Sequence, residues 1–216
     1  MSLRLSIDRI SKSYDGNAVL DGCRFEFEAG KTYALIGSNG SGKSTFLRIC
    51  ALLEQPDKGA VRFFCGDAEQ PHEIPLKRKI TLVLPKTGVF NSSVFNNAAY
   101  GLKIRGIAGN EIKEKAARIL KLVKLAGKSA QNAQTLSSGE TQRLGIARAM
   151  VFEPEIIFLD EPTAFVDAES KGIIEELISK FKDRQRTVII ATHDLHQAER
   201  LDSQILSMTE GRLKLL

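Results

Sequence analysis

Residues 37–45 match the P-loop pattern at every position: Gly, four residues of any kind, Gly, Lys, and then Ser or Thr. A short apolar run before them and a helical pattern after them supply the strand–loop–helix context that this motif requires, which argues against a glycine-rich turn without a ligand. The glycines allow a tight backbone path whose N–H groups point at one anion, at the N-terminus of a helix. The lysine can reach the β- and γ-phosphates, and the hydroxyl after it can bind Mg²⁺. The predicted nucleoside triphosphate site consists of Gly37, Ser38, Asn39, Gly40, Ser41, Gly42, Lys43, Ser44 and Thr45.

The composition is that of a globular protein. The chain has 216 residues, of which 43% are hydrophobic, and we predict a single α/β domain over residues 1–216. The net charge of +5 is spread along the sequence, which favours an ordinary solvated surface over a surface for nucleic acid or anionic lipid. Three cysteines without a Cys-x-x-Cys pair argue against disulfides and zinc sites and suit a reducing cytosol. No apolar run approaches the roughly 20 residues of a membrane span, and no signal-peptide pattern is present.

Two apolar patterns predict two kinds of strand. Apolar and polar residues alternate over 3–10, 23–27 and 60–65, as in half-buried antiparallel strands. Continuous apolar runs, typical of parallel strands buried on both faces, occupy residues 33–36, 80–84, 156–160 and 188–192. We therefore predict an α/β fold with a P-loop NTPase core, in which helices flank a parallel sheet. An N-terminal antiparallel β subdomain is expected over about 3–30 and 58–79.

Helical periodicity fills intervals between these strands. Residues 111–126 carry an apolar stripe opposite a charged face, and Gly127 is predicted to stop this helix. A second amphipathic helix is predicted over 167–181. Because no buried strand is indicated between Lys86 and Gln131, we predict a mostly helical subdomain over about 86–152, inserted into the sheet domain.

An apolar strand ends in two acidic residues, Asp160 and Glu161. A carboxylate at the carboxyl end of a strand beside a P-loop lies where Mg²⁺ is needed, and Asp160 fits this role together with Ser44. Glu161 could orient and deprotonate a water that attacks the γ-phosphate. The alternative is a strand-end turn in which the two acidic residues only cap the next element. Because a P-loop lies upstream, the functional interpretation is favoured over this alternative.

A helix start is predicted where Ser137 and Glu140 show the Ser-x-x-Glu spacing of a capping box. Capping by itself fully explains this spacing. Only together with the other motifs of the chain does this segment indicate a more specific function than helix capping.

Taken together, the motifs resemble the ATP-binding cassette family, the nucleotide-binding subunits of ABC transporters. Residues 37–45, 136–140 and 156–161 correspond, in the family's order, to its P-loop, signature motif and Walker B segment, and His193 follows them. The resemblance covers essentially the whole chain. Each smaller motif is weak alone, but their ordered set is very specific.

The resemblance implies a head-to-tail homodimer that sandwiches two ATP molecules, each between one subunit's P-loop and the other's signature helix. Ser137, Gly139 and Glu140 would then bind the ATP of the other subunit. His193 would contact the γ-phosphate and act in catalysis with Glu161 and Lys43. The alternative for His193 is a neutral histidine that bonds the backbone at a strand end.

Two further positions match the family. Tyr14 fits the aromatic residue that stacks on adenine, with a partly buried loop tyrosine as the alternative, and Asp167 fits the D-loop.

The chain departs from the family pattern at several positions. Ser138 replaces a glycine of the signature motif, which removes conformational freedom at positive φ, and Glu140 replaces a glutamine. Phe165 and Val166 replace the usual small residue and leucine of the D-loop. The largest departure is Pro85, at the place of a glutamine that contacts water and Mg²⁺ in the family.

The implied function is that of the ATP-binding and ATP-hydrolysing subunit of an ABC transporter, using ATP and Mg²⁺. Its expected partners are a separate integral membrane permease, a second copy of itself and, for an importer, a solute-binding protein. No nucleic acid is expected. The expected location is cytoplasmic, on the inner face of the cell membrane through the permease.

Residues 91–106 are similar to the corresponding segment of oxyanion importers, especially those for tungstate and molybdate. Five residues follow Gly211, so no C-terminal regulatory domain is expected. Two alternatives stay open. One is a soluble ATP-binding cassette ATPase that acts in cofactor assembly or on nucleic acid, and the other is a regulatory subunit whose hydrolysis is impaired by Pro85.

Overall fold

The computed structural model describes residues 3–182 and 186–216, which form two β-sheets with helices packed on them. The strands are β1 (Leu3–Tyr14), β2 (Asn17–Phe27), β3 (Thr32–Ile36), β4 (Lys58–Cys65), β5 (Ala68–Gln70), β6 (Ile80–Val83), β7 (Ile156–Asp160), β8 (Thr187–Thr192), β9 (Gln204–Thr209) and β10 (Arg212–Leu215). The α-helices are α1 (Lys43–Cys50), α2 (Ile74–Lys77), α3 (Val94–Ile104), α4 (Gly109–Leu122), α5 (Ser138–Met150), α6 (Ala168–Lys182) and α7 (Leu195–Arg200). Short 3₁₀ turns cover Ala126–Lys128 and Ala133–Thr135.

The larger sheet brings three functional strand ends together. Its order is β10-β9-β3-β8-β7-β6, and all neighbours are parallel except β10 and β9. Ile36 of β3 pairs with Thr192 of β8, and Asp160 of β7 pairs with Ala191 of β8. The carboxyl ends of β3, β8 and β7 therefore lie side by side, and the segments after them meet at one edge of the sheet.

Both faces of the larger sheet are covered, which explains its continuous apolar strands. On β7, Ile157 and Leu159 pack in a core with α3 to α6, whereas Ile156 and Phe158 pack in a second core with α1 and the smaller sheet. The smaller sheet is antiparallel, in the order β2-β1-β4-β5. The predicted α/β P-loop fold class, with parallel strands at all four continuous apolar runs, is confirmed.

The first hairpin is longer than the alternating pattern predicts. The pattern indicates strands over 3–10 and 23–27, but β1 and β2 extend to a turn between Tyr14 and Asn17. The pairing register shifts after Ile7, after Ile10 and after Lys12. Each irregularity resets which side chains face the core, so the alternation is lost although the strands continue.

The helix predicted over 111–126 ends earlier, at Leu122 of α4. Lys124 has a left-handed φ of 54° and its N–H bonds the Lys121 carbonyl, so a lysine takes the position expected for glycine. The predicted stop, Gly127, lies in the 3₁₀ turn that follows. The helix predicted over 167–181 is observed as α6, one residue further along the chain.

Helices dominate the region between β6 and β7. It contains α3, α4 and α5, and its only β-type pairing among the described residues is an isolated bridge between Ser93 and Asn132. Within residues 3–182 and 186–216, no helix is both long and apolar enough to cross a membrane.

Candidate functional site

The loop after β3 has the backbone geometry of an anion cradle. Gly40 and Gly42 have φ values of 81° and 103°, a region that residues with a side chain rarely adopt. A Cβ atom on Gly42 would lie 2.7 Å from the carbonyl oxygen of Val19, so a side chain is also excluded by space. Gly42 is the N-cap of α1 and supplies no side-chain cap. The first N–H groups of α1 are therefore left for a bound anion.

Lys43 is held across this loop. The residue is only 6% exposed, and Nζ donates to the carbonyl oxygens of Gly37 at 2.7 Å and Ser38 at 3.0 Å. An ammonium group in this position adds a positive charge to the N-terminus of α1.

A cleft of about 380 Å³ opens beside the loop. Its lining residues are Tyr14, Val19, Asn39, Gly40, Gly42, Lys43, Ser44, Thr45, Pro85, Asp160 and Glu161. The structure thus brings the P-loop, the end of β1, the end of β7 and the loop after β6 to one cleft. The predicted site residues that do not line it are Gly37, Ser38, Ser41, Ser137, Gly139, Glu140 and His193.

Asp160 ends β7 and is 2% exposed. Burial raises the pKa of its carboxyl, although a hydrogen bond with the Ser44 hydroxyl and the charges of Arg48 and Lys43 act in the opposite direction. Its Oδ1 is buried without a hydrogen-bond partner in the described chain. A hard cation with oxygen ligands would satisfy this oxygen, so Asp160 and Ser44 fit Mg²⁺.

Glu161 and His193 form a pair at the ends of β7 and β8. His193 Nδ1 lies 2.9 Å from Glu161 Oε2, and the Glu161 backbone, at a left-handed φ of 46°, is fixed by an N–H bond to the Ala191 carbonyl. Glu161 Oε1 is buried and has no hydrogen-bond partner among residues 3–182 and 186–216. One carboxylate oxygen is thus held by histidine while the other is left for a further donor. His193 bonds a side chain here, which differs from the backbone-bonded alternative.

Tyr14 lies at the end of β1 and is 40% exposed in the cleft. Its hydroxyl donates to the carboxylate of Glu54, and Arg48 bonds that carboxylate and the Thr45 hydroxyl. Arg48 and Glu54 are not among the predicted site residues. No motif spacing indicates them, because an irregular segment after α1 separates them.

The signature segment forms a complete helix cap. Ser137 Oγ accepts from the Glu140 N–H at 3.2 Å, and Glu140 Oε2 accepts from the Ser137 N–H at 3.1 Å. Lys128 lies 2.6 Å from the other Glu140 oxygen, and its hydrogen bond holds the pKa of Glu140 below the usual value. Ser138 is the first residue of α5 and is not among the residues with positive φ, so the expected loss of glycine freedom there has no consequence.

The D-loop residue Asp167 caps α6 and packs against the signature segment. It accepts from the N–H of Ser170 at 2.8 Å, and this bond is the largest cause that lowers its pKa. A Cβ atom on Gly139 would lie 2.3 Å from Ser170 Oγ and 2.5 Å from Asp167 Oδ2, so a larger residue there would displace the side chains of this cap. Phe165 is 80% exposed, with a left-handed φ of 62°.

The loop that contains Pro85 is anchored to α5. The Thr87 hydroxyl lies 3.2 Å from both the Thr141 carbonyl oxygen and Gln142 Oε1, and Arg148 donates to the Gly88 carbonyl at 2.5 Å. The loop therefore connects the cleft, at Pro85, with the helix that the signature segment opens.

Comparison with known proteins agrees with this geometry. A family model described as "ABC transporter" matches residues 20–164. The chain belongs to the ABC transporter family. It is accordingly an ATP-binding protein and an ATPase. Its function is to power an ABC transporter by ATP hydrolysis, as the motifs predict.

Two ABC relatives match nearly the whole chain. The tungstate uptake system ATP-binding protein TupC of Peptoclostridium acidaminophilum is 37% identical over 212 residues, which cover 98% of this chain and 97% of TupC. The phosphate import ATP-binding protein PstB 2 of Natronomonas pharaonis is 34% identical over 221 residues, covering 97% of this chain and 78% of that protein.

Two solved ABC structures share the fold. CbiO1 of Clostridium perfringens, part of the transporter complex CbiONQ, has a TM-score of 0.85 at 26% identity, covering all of this chain and 88% of CbiO1. The ATP-binding cassette MJ0796, solved as a post-hydrolysis dimer with ADP and Pi, has a TM-score of 0.85 at 24% identity, covering 98% of each chain.

Proposed function

We propose that this ATPase drives uptake of an oxyanion through a separate membrane permease. The observation that carries the proposal is the 37% identity to a tungstate uptake protein over nearly the full length of both chains. The phosphate import relative and the segment 91–106 support the same substrate class. In this proposal the protein is a homodimer on the inner face of the membrane, held there by the permease, with a solute-binding protein outside and no role for nucleic acid.

Uptake measurements test the substrate class. Cells that lack this chain should lose high-affinity uptake of labelled tungstate, molybdate or phosphate, and the wild-type chain should restore it. Lys43→Met should not restore uptake, whereas Lys31→Met should, because Lys31 is a half-exposed lysine paired with Glu28 before β3. Unchanged uptake of all three oxyanions in the deleted cells would contradict the proposal.

The residues that line the cleft suggest a separate role for each part of the site. Tyr14 stacks on the adenine, and residues 37–45 bind the phosphates. Ser44 and Asp160 would hold Mg²⁺, which supplies charge neutralisation at the phosphate oxygens when bound. The proposed layout is one domain over 1–216, with the antiparallel and helical parts at the boundaries that the sequence predicts.

The catalytic roles are proposed for Glu161, His193 and Lys43. Glu161 acts as the general base towards a water through its unpaired Oε1. With Glu161 ionised, its Oε2 only accepts, so His193 Nδ1 carries a proton. His193 Nε2 then donates to a γ-phosphate oxygen only when the imidazole is doubly protonated.

We expect Lys43→Met to weaken ATP binding by roughly 10- to 100-fold, since it removes charge-assisted hydrogen bonds to phosphate while keeping the buried volume of the side chain. A calorimetric titration with ATP measures this, with Lys31→Met as the matched control. Equal affinities of Lys43→Met and wild type would remove Lys43 from the phosphate site.

Pro85 is proposed to limit basal turnover. A proline offers no side-chain amide to water or Mg²⁺ at a position that lines the cleft. Pro85→Gln should therefore raise basal hydrolysis, or lower the Mg²⁺ concentration for half-maximal rate, by about 2- to 10-fold, the worth of one added hydrogen bond. The exposed Pro71, after β5, provides the control variant Pro71→Gln. If the wild type already turns over at an ordinary ~10 s⁻¹ and Pro85→Gln changes neither quantity, another group fills this role.

A further inference from the structure

We propose that Glu54 and Arg48 are positioning residues that fix the Tyr14 ring to the P-loop and so make ATP affinity depend on the nucleobase. The inference rests on the proposed stacking role of Tyr14. It assigns a function to two side chains that do not line the cleft but bridge two residues that do.

The bridge is continuous from the base side of the cleft to its phosphate side. The Tyr14 hydroxyl donates to Glu54 Oε1, and Arg48 Nε donates to Glu54 Oε2 at 3.1 Å. Arg48 Nη2 donates to Thr45 Oγ1 at 3.0 Å and lies 3.5 Å from the Tyr14 hydroxyl. Thr45 is the last residue of the P-loop and part of α1. The aromatic ring and the phosphate loop are thereby joined through two side chains.

The charges around Glu54 keep it ionised. Partial burial would raise its pKa, but hydrogen bonds from Tyr14 and Arg48, with the charges of Arg48 and Lys12, leave the pKa below its usual value. Lys12 Nζ lies 3.7 Å from Glu54 Oε1 and 5.6 Å from the centre of the Tyr14 ring. An ionised carboxylate accepts with both oxygens, as the bridge requires.

Tyr14 needs such support because its side chain is exposed beside the hairpin turn. It is the last residue of β1, and the next two residues, Asp15 and Gly16, both have positive φ in the hairpin turn. A half-exposed ring at this point would otherwise rotate about its side-chain bonds, and ordering it on nucleotide binding would lower the affinity.

The test compares ATP with inorganic tripolyphosphate, which has the phosphates but no base. Glu54→Ala should raise the Kd for ATP roughly 3- to 10-fold and leave the Kd for tripolyphosphate unchanged. Tyr14→Phe removes only the hydroxyl and should give the same base-dependent loss. The double variant should lose no more than either single one, since both break one interaction. At saturating ATP, the kcat of Glu54→Ala should stay at the wild-type value, because Glu54 does not line the cleft.

The control is Glu26→Ala. Glu26 lies on β2 and accepts from Arg4 of the neighbouring β1 at 2.8 Å, so this variant loses a comparable ion pair away from the cleft. It should not change the ratio of the two Kd values.

Arg48→Met tests the other half of the bridge. It should weaken ATP more than tripolyphosphate, while weakening tripolyphosphate as well, because the Thr45 hydroxyl also loses its donor. Wild-type affinities for both ligands would remove Arg48 from the proposal.

Other outcomes separate this inference from the proposed site. If Tyr14→Ala lowers base-dependent affinity while Glu54→Ala and Tyr14→Phe only lower the melting temperature, the bridge is structural and the inference is wrong. If Tyr14→Ala leaves the ratio of the two Kd values unchanged, the stacking role of Tyr14 fails and the inference fails with it.

Discussion

Glu161→Gln should retain ATP binding and lose ATP hydrolysis by about 10²- to 10⁴-fold, the usual contribution of a positioned general base. The substitution keeps the shape of the side chain and the oxygen that faces His193 but removes the basicity of the buried, unpaired oxygen. Phosphate release under saturating MgATP measures the loss. Because hydrolysis is proposed to release the sandwiched dimer, the variant should also accumulate as an ATP-bound dimer in light scattering.

The matched control for this variant is Glu155→Gln. Glu155 lies just before β7, and Glu161 lies just after it. The Glu155 carboxylate bonds the Leu3 N–H and Lys79, each at 3.0 Å, away from the cleft. Glu155→Gln should turn over ATP at the wild-type rate. Undiminished turnover of Glu161→Gln, together with monomers only in MgATP, would show that another group activates the water.

Sequence patterns predict those parts of the site that depend on local chain geometry. The P-loop is such a case, because its glycines, lysine and hydroxyl are contiguous and the φ values of Gly40 and Gly42 exclude other residues. The strand ending in Asp160 is another, since burial on both faces requires a continuous apolar run. The order β3-β8-β7, which sets these segments side by side, is a long-range property that only the family resemblance indicates.

Elements whose local signal is overridden are predicted less well. Gly127 carries the typical signal for a helix end, but α4 ends at Leu122 because Lys124 adopts the left-handed conformation at a cost that the surrounding packing offsets. Glu54 and Arg48 show the same limit for the site. Their contact with Tyr14 joins α1 to a strand 34 residues earlier, and no periodicity within either segment indicates it.

Ser137→Arg should leave ATP binding by the isolated monomer nearly intact and reduce ATPase activity by at least about 10²-fold, as loss of the main transition-state donors does. The reason is that Ser137 is exposed and does not line the cleft of its own chain, so its proposed ligand is the partner's ATP. Arginine also removes the cap of α5, at about 1 kcal/mol. Ser93→Arg controls for that loss, since the Ser93 side chain is also an N-cap, accepting from the Asn96 N–H of α3, and this variant should keep normal turnover.

Mixing Ser137→Arg with Lys43→Ala then tests the head-to-tail arrangement. In a mixed dimer, one composite site contains both substitutions and the other contains neither. If subunits exchange freely and the sites act independently, an equal mixture should recover about a quarter of the wild-type rate, because half of the two-fold dimers are mixed and each has one intact site. Neither variant alone, nor a mixture of Ser137→Arg with Ser137→Arg/Lys43→Ala, should recover ATPase activity.

Mixed dimers can be demonstrated by mass spectrometry. If they form and the rate is still flat at every mixing ratio, Ser137 serves its own chain or both sites must act together. Trapping one labelled ATP per mixed dimer would distinguish these two, because only the composite arrangement leaves a complete binding site in the mixed dimer.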